Sequence, residues 1–67
     1  MEIAVRVNGT DERLLECTIE TLIATKELVA ASLVVEHNGR IVKQADWGKV
    51  MLKQGDILEL LNFVGGG

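Results

Sequence analysis

The chain has 67 residues, of which 48% are hydrophobic, and its ten acidic and seven basic side chains give a net charge of −3. This length allows one small domain, which must fold by hydrophobic packing because a single cysteine cannot form an internal disulfide. Nucleic-acid binding is disfavoured, since the chain has no cluster of basic residues and only one Trp and one Phe to stack on bases.

No apolar stretch approaches the roughly 20 residues that a membrane-spanning helix requires. Met1-Glu2-Ile3 lacks the basic and apolar regions with which a signal peptide begins. One free thiol is consistent with a reducing compartment. We therefore expect a cytoplasmic protein that binds neither nucleic acid nor membrane.

The first 16 residues predict a β-hairpin. Apolar residues alternate with others over Ile3–Val7, as in a strand with one buried face. Asn8-Gly9 follows, and this dipeptide tolerates the positive φ angles of a tight turn. The next two residues are polar and could lengthen the loop, which places the returning strand at Glu12–Glu16 with Leu14 facing inward.

A helix should follow this hairpin. Thr18 is a suitable N-cap, because its hydroxyl can accept a hydrogen bond from a free backbone N–H in the first turn. Ile19, Leu22 and Ile23 have the spacing of one apolar helix face. The pattern predicts a helix as far as about Leu28, although neither Gly nor Pro marks its end.

A second hairpin is predicted from Leu33–His37, a turn at Asn38-Gly39 and a return at Arg40–Val42. The segment Lys43–Leu52 has no clear period and is interpreted as a loop or single helical turn. Its Trp47 is expected to cover the core rather than to bind a ligand.

The final strand begins at Ile57, after a turn at Lys53–Asp56 in which Gly55 supplies a positive φ angle. The resulting order, β-β-α-β-β-β, predicts an α+β domain with one main helix against a mixed sheet of about five strands. Alternation places Leu58 and Leu60 on one face of the last strand and Ile57, Glu59, Leu61 and Phe63 on the other.

The face that carries Glu59 is the better candidate for solvent, because burying an unpaired carboxylate is costly. Leu61 and Phe63 would then be exposed, with Val34 beside them on a neighbouring strand. Contiguous exposed apolar residues usually mark a partner site. The alternative is that the loop Lys43–Leu52 covers them. The residues expected to contact a partner are Val34, Leu61, Phe63 and Val64.

Few residues could perform catalysis. His37 is the only histidine and is expected to face solvent or to lie at a strand end, without a partner residue. Cys17 is expected to be an inert, partly buried thiol rather than a reactive one. The acidic residues are scattered, so no shared site is indicated. We expect a protein that is not an enzyme and that binds no metal or cofactor.

Three consecutive glycines, Gly65-Gly66-Gly67, end the sequence. Taken alone, such an end is more often frayed than functional. However, glycines can pass through a channel too narrow for any other residue. The only reactive group there is the Gly67 carboxylate, which is ionised at neutral pH and would need activation, most simply by adenylation.

The chain resembles the ThiS-type sulfur carriers of thiamin biosynthesis, a family of ubiquitin-like proteins with the β-grasp fold. The similarity extends over essentially the whole chain. The segments that carry it are Val7-Asn8-Gly9, Val35-Glu36-His37-Asn38-Gly39, Trp47, Leu52-Lys53-Gln54-Gly55-Asp56 and Phe63-Val64-Gly65-Gly66-Gly67.

This resemblance implies a β-grasp domain over residues 1–64 and a flexible reactive tail over 65–67, with Gly65 as its spacer. It also implies that the last strand lies between the first and third strands, parallel to the first. Leu61 and Phe63 map to the family's partner-facing surface.

The family's chemistry implies that an E1-like adenylating enzyme (ThiF-type) uses ATP to activate the Gly67 carboxylate, which is then converted to a thiocarboxylate. The sulfur donor would be a cysteine desulfurase route, and the acceptor a thiazole synthase (ThiG-type). ATP would be used by the partner and not bound by this chain.

Two alternatives remain at the level of sequence. The first is the small subunit of molybdopterin synthase or another ubiquitin-like sulfur carrier, since these share this fold and tail chemistry. Relatives of the molybdopterin synthase subunit typically carry prolines before the glycines, and this chain has none. The second is a non-covalent interaction module that uses only the exposed sheet face.

Overall fold

A computed structural model describes residues 1–63. It contains one α-helix, α1, five strands and two short 3-10 helices. In chain order these elements are β1 (Glu2–Val7), β2 (Thr10–Leu15), α1 (Ile19–Thr25), a 3-10 helix (Ala30–Ser32), β3 (Leu33–His37), β4 (Arg40–Val42), a second 3-10 helix (Gln44–Lys49) and β5 (Ile57–Asn62).

The strands form one mixed sheet in the order β2-β1-β5-β3-β4. β5 lies in the centre, parallel to β1 and antiparallel to β3. The predicted α+β class and the β-grasp topology are confirmed, including the position of the last strand between the first and third.

The core lies between one face of the sheet and α1. Alternate residues of β1, β3 and β5 point into it, as the period-two pattern predicts. The fully enclosed side chains include Leu58 of β5, at 0% exposure. The other core residues are Ile3, Val5, Val7, Ile19, Leu22, Ile23, Leu33, Val35, Trp47, Leu52 and Leu60.

The first turn is tighter than predicted. Asn8 and Gly9 have φ angles of 50° and 81°, and Val7 pairs directly with Thr10. The expectation of a longer loop is therefore wrong, and β2 starts at Thr10. Asp11 belongs to the sheet ladder, where its carboxylate accepts a hydrogen bond from Nε of Arg6 at 2.9 Å.

The helix begins as predicted, since the Thr18 hydroxyl accepts from the N–H of Thr21 at 3.2 Å. It ends earlier than predicted, at Thr25 rather than near Leu28. Glu27 turns the chain with a φ angle of 57°, a conformation usually left to glycine.

Two backbone hydrogen bonds complete this helix end. The N–H of Glu27 donates to the carbonyl of Ala24 at 3.1 Å, and that of Leu28 donates to the carbonyl of Ile23 at 3.3 Å. This is the Schellman pattern, in which the residue after the turn packs back on the helix. Leu28 does pack against the core.

Trp47 lies in the second 3-10 helix and covers the core on the same side as α1. Its side chain is 3% exposed, and Nε1–H donates to the carbonyl of Val42 at 2.9 Å. The interpretation of Trp47 as a core residue is confirmed.

The asparagines of both hairpin turns also hold β5. Oδ1 of Asn8 accepts from the N–H of Leu60 at 2.7 Å, and Nδ2 of Asn8 donates to its carbonyl at 3.3 Å. Oδ1 of Asn38 accepts from the N–H of Ile57 at 2.8 Å. β1 ends before it reaches the level of Leu60. The Asn8 amide therefore takes the place of a neighbouring strand and satisfies the backbone N–H and carbonyl of Leu60.

Asn8→Gly should lower the free energy of unfolding by about 1–2 kcal/mol in a urea titration, because it keeps the positive φ angle and removes two hydrogen bonds. Glu27→Gly is the matched control. Among the described residues the Glu27 side chain makes no hydrogen bond, so glycine there should stabilise the fold by up to about 1 kcal/mol. Equal effects at the two positions would contradict this role of Asn8.

Candidate functional site: the outer sheet face and the end of β5

The sheet face opposite α1 carries exposed apolar residues along β5. Ile57, Leu61 and Phe63 are 49%, 41% and 59% exposed. The segment Lys43–Leu52 does not cover them, because its Trp47 packs into the core on the opposite face. The predicted exposure of Leu61 and Phe63 is confirmed, and the alternative of a covering loop is wrong.

Neighbouring strands extend this apolar surface. Val34 of β3 lies directly opposite Leu61 in the sheet register, on the neighbouring strand as the sequence indicated, and it is half-buried. Ile41 of β4 is 69% exposed and pairs with Glu36 of β3. We call the set Val34, Ile41, Ile57, Leu61 and Phe63 the outer apolar patch.

Ile41 and Ile57 are not among the partner-contacting residues that the sequence predicts. Alternation along the last strand places Ile57 on the correct face but does not assign it to the site. Ile41 could be placed there only with the β3–β4 register, which pairs residues 36 and 41. The Asn38-Gly39 turn is the sequence signal that could predict this register, because a two-residue turn fixes which residues of the two strands pair.

The end of β5 is held against the 3-10 helix Ala30–Ser32. The N–H of Phe63 donates to the carbonyl of Ser32 at 2.7 Å, and the Ser32 hydroxyl donates to Oδ1 of Asn62 at 2.8 Å. These contacts fix the strand end up to Phe63. The predicted partner residue Val64 and the predicted tail Gly65–Gly67 lie outside the described residues.

His37 has a partner that the sequence does not predict. Its Nε2 lies 2.8 Å from Oδ2 of Asp56. Because an ionised carboxylate only accepts, Nε2–H is the donor. The same oxygen accepts from the N–H of Lys53 at 2.9 Å, and Oδ1 accepts from Nδ2 of Asn38 at 3.1 Å. The expected position at a strand end is confirmed, because His37 is the last residue of β3, but the expectation that it has no partner is wrong.

These contacts change the acidity of Asp56, which is one of the buried residues of the fold. Burial raises the pKa of its carboxyl, but hydrogen bonds from His37, Lys53 and Asn38 outweigh burial, and the pKa lies below its ordinary value. The group is thus ionised at neutral pH and joins the β3–β4 turn to the start of β5. We therefore assign His37 and Asp56 a structural role.

Cys17 is half-buried, and burial raises the pKa of its thiol. A raised pKa lowers the fraction of nucleophilic thiolate at neutral pH, which supports the interpretation of an inert cysteine. Within residues 1–63, no group of three or more His, Cys, Asp or Glu side chains is placed to hold a metal ion. No helix in this range is long and apolar enough to cross a membrane.

Comparison with known proteins identifies the family. The model of the ThiS family matches residues 4–67, nearly the whole chain. The chain belongs to the ThiS family. It is 32% identical over 65 residues to the sulfur carrier protein ThiS of Bacillus subtilis (strain 168), an alignment that covers 94% of this chain and 98% of the relative.

Solved structures agree with this ThiS assignment. The crystal structure of the thiamine biosynthesis protein ThiS from Geobacter metallireducens superposes with a TM-score of 0.83 at 26% identity, covering 97% of this chain and 100% of that one. The solution NMR structure of a thiamine biosynthesis protein from the same organism gives 0.80 at 26% identity, covering 97% and 88%. The resemblance found in the sequence is thus confirmed.

Proposed function

We propose that this ThiS-family chain is a sulfur carrier, a protein substrate whose Gly67 carboxylate is converted to a thiocarboxylate that supplies sulfur for the thiazole of thiamin. The observation that carries the proposal is that the family match continues through Gly67 and so includes all three glycines. The names of the B. subtilis and G. metallireducens relatives support the pathway.

The chemistry requires activation, because an ionised carboxylate is a poor electrophile. A ThiF-type adenylating enzyme would direct an oxygen of the Gly67 carboxylate to the α-phosphorus of ATP, with pyrophosphate leaving. A persulfide generated by a cysteine desulfurase would then attack the carbonyl carbon, and AMP would leave. A thiol would cleave the resulting acyl disulfide and itself become oxidised, which frees the thiocarboxylate. A ThiG-type thiazole synthase would accept the sulfur.

In this sequence of reactions the role of the carrier is to present its C-terminal tail to the partner enzymes. Central placement of β5 in the sheet, with Phe63 bound to Ser32, holds Phe63, four residues before Gly67, at a fixed point of the fold. The outer apolar patch leads up to this point and is our candidate docking surface for the adenylating enzyme, together with Val64. Gly65 and Gly66 would let Gly67 enter a narrow active site, since they lack side chains.

Intact-mass spectrometry tests the proposal. The chain is incubated with a ThiF-type enzyme, ATP, a cysteine desulfurase, cysteine and a thiol reductant. We expect a mass gain equal to replacing one oxygen by sulfur, located at Gly67 by fragmentation and absent when ATP is omitted. An unchanged mass with an enzyme that loads its own carrier would disprove the carrier function.

The acceptor is tested separately with the loaded protein. We expect a thiazole synthase to consume the thiocarboxylate and the large subunit of molybdopterin synthase to leave it intact. The opposite result would assign the chain to the molybdopterin alternative.

A further inference from the structure

Two carboxylates lie opposite one another within the outer sheet face. Glu36 of β3 pairs in register with Glu59 of β5, and both are half-buried. Like charges directly opposite in an antiparallel pair are destabilising. Neither carboxylate belongs to any of the ion pairs found in residues 1–63.

Apolar residues lie on three sides of this acidic pair. Ile41 of β4 lies directly opposite Glu36. Val34 and Leu61 form the neighbouring cross-strand pair of β3 and β5. Ile57 precedes Glu59 by two residues on the same face. Arg6 pairs in register with Ile57, but its guanidinium is bound to Asp11 at 2.9 Å. The free chain thus presents two negative charges within an apolar surface.

We propose that this acidic pair receives a basic side chain, best an arginine, from the adenylating partner. The inference rests on the proposed function and names the polar contact within the docking surface. A guanidinium can bind two carboxylates through parallel N–H groups, which a point-like ammonium does less well. Apolar residues around the pair would exclude water and strengthen the contact once the partner has docked.

A second copy of the chain fits this surface poorly. In a two-fold dimer the same patch meets itself. Centred on these carboxylates, such an interface would bring four of them together without a cation. Charge complementarity therefore favours a basic protein partner. The net charge of −3 would also attract such a partner as the two proteins approach each other.

Chain length limits where the partner's basic residue can lie. Gly67 follows Glu59 by eight residues, and eight residues can span at most about 29 Å. We expect the basic residue within this distance of the partner's adenylation site.

The test uses the full chain with both glutamates replaced, Glu36→Gln and Glu59→Gln, and the adenylating enzyme that loads the unmodified chain. By calorimetry we expect Kd to rise about tenfold or more, and its dependence on salt to weaken. The urea midpoint should stay the same or rise, because the substitution relieves repulsion between the two strands.

The matched control is the pair Glu16→Gln and Glu27→Gln, which changes the net charge equally at exposed positions away from this face. Its Kd should stay within about twofold of the unmodified chain. If the Glu36/Glu59 variant binds as tightly as this control while the unmodified chain is loaded, the acidic-pair inference is wrong and the carrier function stands. If the unmodified chain is neither bound nor loaded, both fail.

Discussion

Deletion of Gly67 should abolish thiocarboxylate formation and change Tm by less than about 2 °C, which for a domain of this size corresponds to a few tenths of a kcal/mol. The deletion leaves Gly66 with the terminal carboxylate, about 3.5 Å short of the position that the reaction requires. The core should tolerate the change, because the buried core residues of the described chain lie between Ile3 and Leu60.

Three measurements separate the causes of such a loss. Intact mass reports loading, thermal unfolding reports the fold, and calorimetry with the adenylating enzyme reports docking. We expect the shortened chain to bind with nearly unchanged Kd, since the outer apolar patch is intact. Gly67→Ala is the matched control, because it keeps the length and the carboxylate and adds only a β-carbon.

We expect Gly67→Ala to be loaded more slowly than the unmodified chain but faster than the shortened one. Full loading of the shortened chain would show that the position of the carboxylate is not critical. Full-rate loading of Gly67→Ala would instead show that the partner's channel accommodates a methyl group, contrary to the role given to the glycines.

The parts of the fold that the sequence predicts are those governed by local periodicity. Alternation in Ile3–Val7 and Ile57–Phe63 identifies the inward residues, because a strand gives its side chains only two directions. The Asn-Gly turns were found for an equally local reason, their tolerance of positive φ. Exposure of Leu61 follows from these rules once a single helix is assigned to one face.

The errors arise where tertiary contacts override local preference. Glu27 ends the helix in a conformation that its own side chain disfavours, held there by packing of Leu28 on the core. Thr10 looked like part of a loop, but the Arg6–Asp11 ion pair beside it lies within the β1–β2 ladder. No sequence pattern confined to a few residues contains these contacts.

The candidate site shows the same division. Leu61 and Phe63 were found from one strand alone, whereas the Glu36–Glu59 and His37–Asp56 pairs join residues 23 and 19 positions apart. Each depends on the antiparallel register of β3 and β5, which requires knowledge of both strands and of the order in which they pair. The reactivity of Gly67 is inferred from family membership.

The two faces of β5 can be compared by making the same Leu→Ala substitution on each. Leu58→Ala and Leu61→Ala remove the same atoms from positions three residues apart, one at 0% and the other at 41% exposure. A domain of 67 residues is expected to be stable by only about 3–10 kcal/mol. Leu58→Ala should cost about 2–5 kcal/mol, because it leaves a cavity in the centre of the core.

Leu61→Ala should cost less than about 1 kcal/mol, since its side chain already contacts solvent, but it should weaken binding to the adenylating enzyme at least about fivefold. Leu58→Met keeps the buried volume and should cost less than about 1.5 kcal/mol, so it controls for substitution at that position.

Urea unfolding and calorimetry together give the comparison. A greater loss of stability at residue 61 than at residue 58 would exclude Leu61 from an open docking surface, and an unchanged Kd for Leu61→Ala would place the docking surface elsewhere. A central strand with one face buried requires the opposite ranking, because the fold removes the side chain at residue 58 from water completely and the side chain at residue 61 only in part.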